Sequence, residues 1–259
     1  MADIAGVVLG PETESRDNAP LLKFILVWVV IAFGGLALYY FGLMDAVIET
    51  DRTRISQVVL TIFLLGSLHC LYQTMLVSRD LIAARKVRET LLEAGPVGFV
   101  LTSDGVSMKD GRKLAAGTVT AHIAKVVRKA GNLGTGRVDQ TELLRSLAGR
   151  LRGREKLGFF ISESLLRIAL LGTAVGFIIM LIPISGLRSF EADMLRETLT
   201  AMTGGMAIAL NVTVAGIGTA LLLKFQYFLL DAAITELFQE IAELTDIHVI
   251  PALDTRANG

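Results

Sequence analysis

Four long stretches of the chain contain no Asp, Glu, Lys or Arg, whereas charged residues crowd into the segments between them. The uncharged stretches cover 24–44, 55–77, 168–187 and 198–223. A helix needs about 20 apolar residues to cross the roughly 30 Å hydrocarbon core of a bilayer. Each stretch is long enough, and core helices of soluble proteins rarely stay uncharged over so many turns. The pattern therefore predicts four transmembrane helices.

The polar segment between the second and third spans has a helical periodicity of its own. Residues 80–93 are amphipathic and are expected to continue the second span, and apolar residues recur at helical spacing over 113–130 and 140–151. Residues 95–111 are rich in Gly, Ser and Asp, and this composition predicts a loop.

The fourth span is also expected to continue as a helix beyond Lys224. Apolar residues repeat at helical spacing there, with glutamates between them, and Pro251 is expected to end the helix. Such a helix would offer an apolar stripe to a neighbour. The stripe consists of Ile234, Leu237, Ile241 and Leu244.

Charge placement predicts which side of the membrane each segment occupies. The 259 residues carry 25 Lys and Arg and 25 Asp and Glu, so the net charge favours no class of charged partner. However, 16 of the basic residues lie in 78–156, which holds only 8 acidic ones. Because Lys and Arg accumulate in cytoplasmic loops, this segment and both termini are predicted to be cytoplasmic, in the bacterial inner membrane.

Residues at the predicted membrane boundaries are expected to contact lipid headgroups. Aromatic residues near Lys224 fit the headgroup layer, and the basic clusters beside the second and third spans fit anionic lipids. These residues are Phe225, Tyr227 and Phe228; Arg79, Arg85, Lys86 and Arg88; and Arg150, Arg152, Arg154 and Lys156. No aromatic interleaving or nucleic-acid motif accompanies the charge, so nucleic-acid binding is not expected.

These patterns predict an all-α, polytopic membrane protein with four transmembrane helices and cytoplasmic helical extensions. The expected segments are an N-terminal segment (1–23), an outer transmembrane hairpin (24–77), a cytoplasmic helical region (78–158), a second transmembrane hairpin (159–223) and a helical tail (224–259).

The residues that could support catalysis do not form a recognisable set. The three His residues are far apart in sequence, and the single Cys70 lies inside an apolar span. Neither an enzyme activity nor a bound metal or cofactor is therefore expected. His69, inside the second span, is either a proton relay or a neutral imidazole bonded to a neighbouring helix, and the second reading is the simpler one.

Small and hydroxyl residues set the third and fourth spans apart. Gly172 and Gly176 lie one turn apart, which clears a strip for another helix, and Thr173 places a hydroxyl beside it. The fourth span is unusually rich in Gly, Ala and Thr, and includes Asn211 and Thr213. A helix that faces only lipid would carry more Leu, Ile and Phe, so this composition indicates close helix packing, a wetted pore lining, or both.

The segments LLGTAVG (170–176) and ALNVTVAGIGTALL (209–222), with a short hairpin between them, resemble the MotA/TolQ/ExbB proton-channel family. In that family a Leu-Gly-Thr-x-x-Gly motif opens one pore helix and a Thr-Ala-x-Gly type of motif marks the next. The resemblance covers about the last 90 residues, and the first two spans match only in layout, which is closer to MotA.

The resemblance implies roles for particular residues. Thr173 and Thr213 match the threonines that line the pore, and Gly172, Gly176 and Gly216 match the packing glycines. A single-span partner of the MotB/TolR/ExbD type would carry a membrane Asp, and a homopentamer of channel subunits would surround a dimer of that partner. The transported ion would be H⁺ or Na⁺, and Asn211 is a candidate auxiliary polar group.

The sequence departs from the family pattern at two points, and other functions stay open. Ile208 stands where some family members have Glu, and Leu221 and Leu222 replace an Ile-Pro pair. Glu163 and Arg167 lie at the inner mouth of the third span, either as ion-attracting groups or as a plain charge pair on adjacent turns. The alternatives are a flagellar stator subunit and a non-conducting membrane scaffold.

Overall fold

The computed structural model describes residues 19–40, 54–94, 99–102, 105–133, 139–185 and 192–254. It contains helices α1 (Ala19–Tyr40), α2 (Ile55–Ala94), α3 (Thr118–Leu133), α4 (Thr141–Ser185) and α5 (Ala192–Leu244). Strands β1 (Phe99–Thr102) and β2 (Gly105–Met108) follow α2, and a π-helical turn (Thr245–Val249) joins α5 to the short helix α6 (Ile250–Asp254).

Three helices within the described residues are long and apolar enough to cross a membrane. They are α2, α4 and the helix that begins at Ala192, so three of the four predicted spans lie in such helices. In α1 the structure describes an apolar helix over Ile25–Leu36. The predicted first span, 24–44, extends past Tyr40, beyond the described residues.

The chain divides into two compact units whose limits fall close to the predicted segment boundaries. The span unit comprises Phe24–Leu71 and Lys156–Phe228, and the loop unit comprises Met1–Lys23, Tyr72–Glu155 and Leu229–Gly259.

The span unit is held together by a narrow buried seam and is apolar on its outside. Small and branched residues such as Leu165, Ala169 and Val212 are buried where α2, α4 and α5 meet. Large apolar side chains face outward on every helix, as expected for a surface covered by lipid or by another helix. They include Leu26, Val30, Leu64, Leu68, Phe177, Ile178, Leu210 and Val214, each more than half exposed.

The loop unit has a conventional hydrophobic core with ion pairs at its surface. The helical stripe of α5 predicted for a neighbour is instead buried within this unit. Arg85 donates to Glu236 at 3.0 Å and Arg88 donates to Glu240 at 3.1 Å, which links α2 to α5. These two arginines, expected to contact headgroups, therefore have protein partners, because the helices carry complementary charges in register.

Two local predictions were wrong. Within the predicted loop 95–111, β1 and β2 form an antiparallel hairpin in which Phe99 pairs with Met108, and both side chains are buried. Gly111 follows with φ +83°, a conformation that favours glycine, and its N–H donates to the Met108 carbonyl.

Pro251 does not end the C-terminal helical segment but lies inside α6. The ring of a proline in an α-helix clashes with the carbonyl of the residue four positions earlier. Here the chain widens into a π-helical turn just before Pro251, and the Ile250 N–H donates to Thr245 O.

The predicted helix at 113–130 begins at Thr118, because Asp80 of α2 accepts hydrogen bonds there. Its carboxylate takes one from the Thr118 N–H (3.3 Å) and one from the Thr118 hydroxyl (2.7 Å). The predicted helix at 140–151 is the first part of α4, which continues through the third span. It begins beside Asp139, whose carboxylate accepts hydrogen bonds from the Thr141 hydroxyl and from the Thr141 N–H, and these two hydrogen bonds lower the pKa of Asp139.

Candidate functional site

The glycines singled out in the third and fourth spans lie where α4 and α5 touch. A Cβ atom added at Gly176 would lie 2.7 Å from the Ala209 Cβ and 2.8 Å from its Cα. Gly172 meets Val212 and Gly216 meets Ala169 in the same way. Because real side chains do not approach this closely, only glycine allows the two helices to be this near one another.

One further glycine belongs to this glycine seam and was not singled out from the sequence. A Cβ at Gly205 would lie 2.6 Å from the backbone N and Cα of Met180. Its neighbour Gly204, and Gly218 further along α5, have nothing within 4 Å of the corresponding position. The glycines of α5 thus belong to two faces, one packed against α4 and one left open in the single chain.

The two threonines matched to the pore lie beside the seam and donate to their own helices. The Thr173 hydroxyl donates to Leu170 O at 2.6 Å, and the Thr213 hydroxyl donates to Ala209 O at 2.8 Å. Both side chains are partly exposed. A hydroxyl that donates its single proton to a backbone carbonyl still has free lone pairs, so it can accept a hydrogen bond or coordinate a cation.

The remaining predicted site residues are placed apart from these hydroxyls. Asn211 is half-buried and precedes the buried Val212, while Thr213 follows it, so the two polar residues lie on opposite flanks of the buried seam. Glu163 and Arg167 form an ion pair at 3.7 Å with both side chains more than half exposed. This geometry is that of an ordinary surface pair on adjacent turns.

A polar cluster in the span unit was predicted only in part. His69 bonds to a neighbouring helix, as its simpler reading requires, whereas the other members were missed. The Ser67 hydroxyl donates to Gln226 Oε1 at 2.8 Å, and His69 Nδ1 lies 2.7 Å from the Tyr227 hydroxyl. Tyr227, expected at the headgroup layer, is fully buried instead, because α5 turns this residue toward α2 and Gly158 leaves room for its ring. The polar residues within the apolar stretch 55–77 could have indicated this cluster, because polar groups that are buried in a protein need hydrogen-bond partners.

Glu155 and Asp231 form a carboxyl pair in the loop unit. Burial, a hydrogen bond with Asp231 and the charge of Asp231 together raise the pKa of Glu155 to about 7, while Arg152 opposes the shift. Glu155 Oε2 is buried and makes no hydrogen bond to any described residue. The neutral carboxylic acid is therefore favoured at this position below about pH 7.

We expect the loop unit to lose stability as pH rises from about 4.5 to about 7. In the unfolded chain Glu155 loses its proton near its ordinary value of 4.5, whereas the folded chain holds the proton up to about pH 7. The favourable contribution is complete below pH 4.5 and disappears above pH 7, and its size is on the order of 2 kcal/mol.

Thermal unfolding of the detergent-purified chain at pH 5 and at pH 8 would measure this dependence. Glu155→Gln should reduce the difference between the two melting temperatures. Glu142→Gln, at an exposed position on the same helix, should retain it. An unaltered difference in Glu155→Gln would show that Glu155 does not hold the proton.

The fold and composition fit a helical membrane protein, with three helices long and apolar enough to cross a membrane in the described part of the chain. In comparisons with known proteins, no family model, curated protein or solved structure matches the chain.

Proposed function

We propose that the chain is a channel-ring subunit of a bacterial inner-membrane motor driven by an H⁺ or Na⁺ gradient. In the proposed complex a pentamer of this chain, with four spans per copy and both termini in the cytoplasm, surrounds a dimer of a single-span partner. That partner carries an Asp within the membrane, in the manner of the MotA/TolQ/ExbB family that the sequence resembles.

The observation that carries the proposal is the hydrogen bonding of Thr173 and Thr213. Each hydroxyl donates to a carbonyl of its own helix, so the group that it presents outward is an oxygen lone pair. A protonated carboxylic acid can donate a hydrogen bond to this lone pair, and a bare Na⁺ ion can be coordinated by it. An ionised carboxylate needs a donor, which the hydroxyl becomes only after releasing its backbone carbonyl.

The absence of acids from the spans explains why a partner is required. None of the four uncharged stretches contains Asp or Glu, so no side chain in them can lose and regain a proton as a carboxyl group does. A charged group at mid-membrane costs at least about 2.5 kcal/mol, which is why such groups are rare and functional. In the proposed mechanism the partner supplies this acid, and the ring turns as the acid alternates between protonated and ionised states.

The proposal is tested by replacing Thr213 with valine in the complex co-expressed with the proposed single-span, Asp-bearing partner. Valine keeps the shape and removes the lone pairs. We expect the ring to assemble and its ion flux into proteoliposomes to fall at least about tenfold, the effect of losing one hydrogen bond of ~1.4 kcal/mol at the rate-limiting barrier.

Thr219→Val is the matched control. Its hydroxyl also donates to a carbonyl of α5, Ala215 O at 2.7 Å, but the residue is buried. Its loss should cost some stability and leave flux unchanged. Normal flux in Thr213→Val would contradict the pore-lining role, and equal losses in both variants would assign the effect to the helix backbone.

A non-conducting scaffold is the second candidate, because the seam glycines and both threonine hydroxyls already have partners within one chain. The mass of the purified wild-type complex separates the two functions. A pentamer with two copies of an Asp-bearing single-span partner supports the motor. A monomer or dimer without such a partner supports the scaffold.

A further inference from the structure

A large open cavity in the loop unit has five cationic side chains in its wall, alongside apolar residues. It has a volume of about 1000 Å³ and is bounded by α2, α3, the first half of α4 and the segment that precedes α3. The cations come from three separate helices, so they are brought together by the fold and not by one run of sequence. They are Arg79, Lys86, Lys125, Arg150 and Arg154.

The negative charge on the cavity wall does not balance these cations. Among the described residues that line it, Asp80 is the single carboxylate. Asp80 already accepts two hydrogen bonds from Thr118 and lies 3.7 Å from Arg154 Nη1. No second carboxylate lines the cavity to neutralise the other four cations. Because these cations repel one another, an anion bound between them would be favourable.

One nitrogen atom of the cationic residues is buried and makes no hydrogen bond to any described residue. It is Arg154 Nη1, which lies 3.7 Å from an Asp80 carboxylate oxygen, beyond hydrogen-bond distance. A buried donor without a hydrogen bond is unfavourable, and a bound acceptor would remove that cost.

We propose that this cavity binds a phosphate-bearing anion, supplied either by a lipid headgroup or by a soluble phosphorylated compound. Arginine pairs with phosphate through two parallel hydrogen bonds, and lysine adds point charge. The volume is at the upper end of the range for small-molecule sites, so a ligand with more than one phosphate fits better than a single phosphate ion. This site is separate from the proposed ion path and does not depend on it.

The test uses the full chain in nanodiscs and two probes that distinguish the sources. In phosphatidylcholine nanodiscs, calorimetric titration with pyrophosphate and with ATP measures binding of a soluble anion. In nanodiscs that also contain cardiolipin, the rise in melting temperature measures binding of a headgroup. Binding in the first arm identifies a soluble ligand, and stabilisation in the second arm alone identifies a lipid.

A matched pair of double variants separates the cavity from general surface charge. Lys125→Gln with Arg150→Gln removes two exposed cations of the cavity wall. Arg128→Gln with Arg145→Gln removes two exposed cations from the same two helices outside the cavity. We expect the cavity variant to weaken binding at least about tenfold, from the loss of charge-assisted hydrogen bonds, and the control variant to bind as the wild type does.

Two results would overturn the proposal. The first is no binding by the wild-type chain in either arm. The second is an equal loss in the cavity and control variants, because this would mean that only the net positive charge attracts the anion. Melting temperatures of both variants without ligand should match the wild type, since all four positions are exposed.

Discussion

Replacing Gly158 with alanine is expected to destabilise the span unit by about 3 kcal/mol, through overpacking and the loss of a buried hydrogen bond. The Cβ atom of alanine would overlap the ring of Tyr227, which is the largest fully buried side chain in the described part of the chain. The gain in helix propensity from replacing glycine, up to about 1 kcal/mol, offsets only part of this cost.

The Tyr227 ring cannot move aside at low cost, because it is fixed at both its edge and its face. Its hydroxyl lies 2.7 Å from His69 Nδ1 and donates to Gly66 O at 3.3 Å. The ring of Phe159 lies beside it, with the centroids 6.3 Å apart. Any displacement large enough to admit a methyl group would break the hydrogen bond between Tyr227 and His69 and disturb the contact with Phe159.

Unfolding of the purified chain in detergent, followed by circular dichroism, would measure the loss. Gly153→Ala is the control on the same helix, because nothing lies within 4 Å of the added atom there. It should leave stability unchanged or slightly raised. In a double-mutant cycle, Gly158→Ala should cost little once Tyr227 is already alanine, since the overlap is then gone. Equal effects of Gly158→Ala and Gly153→Ala would refute the role of Gly158.

The membrane helices could be predicted from the sequence because uncharged length is a one-dimensional property. The continuation of the second span through 80–93 and of the fourth span past Lys224 followed from periodicity, and both are present in α2 and α5. The hairpin was missed although Asp104-Gly105, between apolar residues, is a strong hairpin signal. The prediction of a loop relied on the Gly, Ser and Asp content of residues 95–111 and overlooked this hairpin pattern.

The direction of a side chain around a helix could not be predicted in the same way. Phe225 and Phe228 are exposed, as a place at the headgroup layer requires, while Tyr227 between them is buried. Which of three aromatic residues turns inward depends on where α2 and α4 lie, and that is tertiary information. The cationic cavity was hidden for the same reason, because its residues come from three helices far apart in sequence.

Glycine spacing indicated a close approach of helices at Gly172 and Gly176, but it did not single out Gly205. Gly204 and Gly205 are adjacent in the segment TGGM, and nothing in the sequence distinguishes them. In the structure Gly205 faces the Met180 backbone, whereas Gly204 is open. The seam glycines therefore hold one chain together, and the open face of α5 is left free for a close contact with another subunit in the proposed ring.

Gly205→Ala is accordingly expected to destabilise the α4–α5 hairpin by on the order of 2 kcal/mol, within the usual cost of overpacking. The added Cβ would lie 2.6 Å from the Met180 N and Cα atoms, and a backbone cannot rotate away as a side chain can. The two helices must then separate along the seam. Separation would also weaken the contacts of Gly176 with Ala209, so the loss should appear as reduced thermal stability of the isolated chain.

Gly204→Ala, one residue away, should keep the stability of the isolated chain or raise it by up to about 1 kcal/mol. The larger change Gly204→Leu separates packing within a chain from packing between chains. In the proposed ring it should leave the monomer folded and reduce the mass of the purified complex, because it fills the open face of α5. A stable pentamer in Gly204→Leu would place the subunit contact on another face of α5, and a loss of monomer stability would mean that this face is not open.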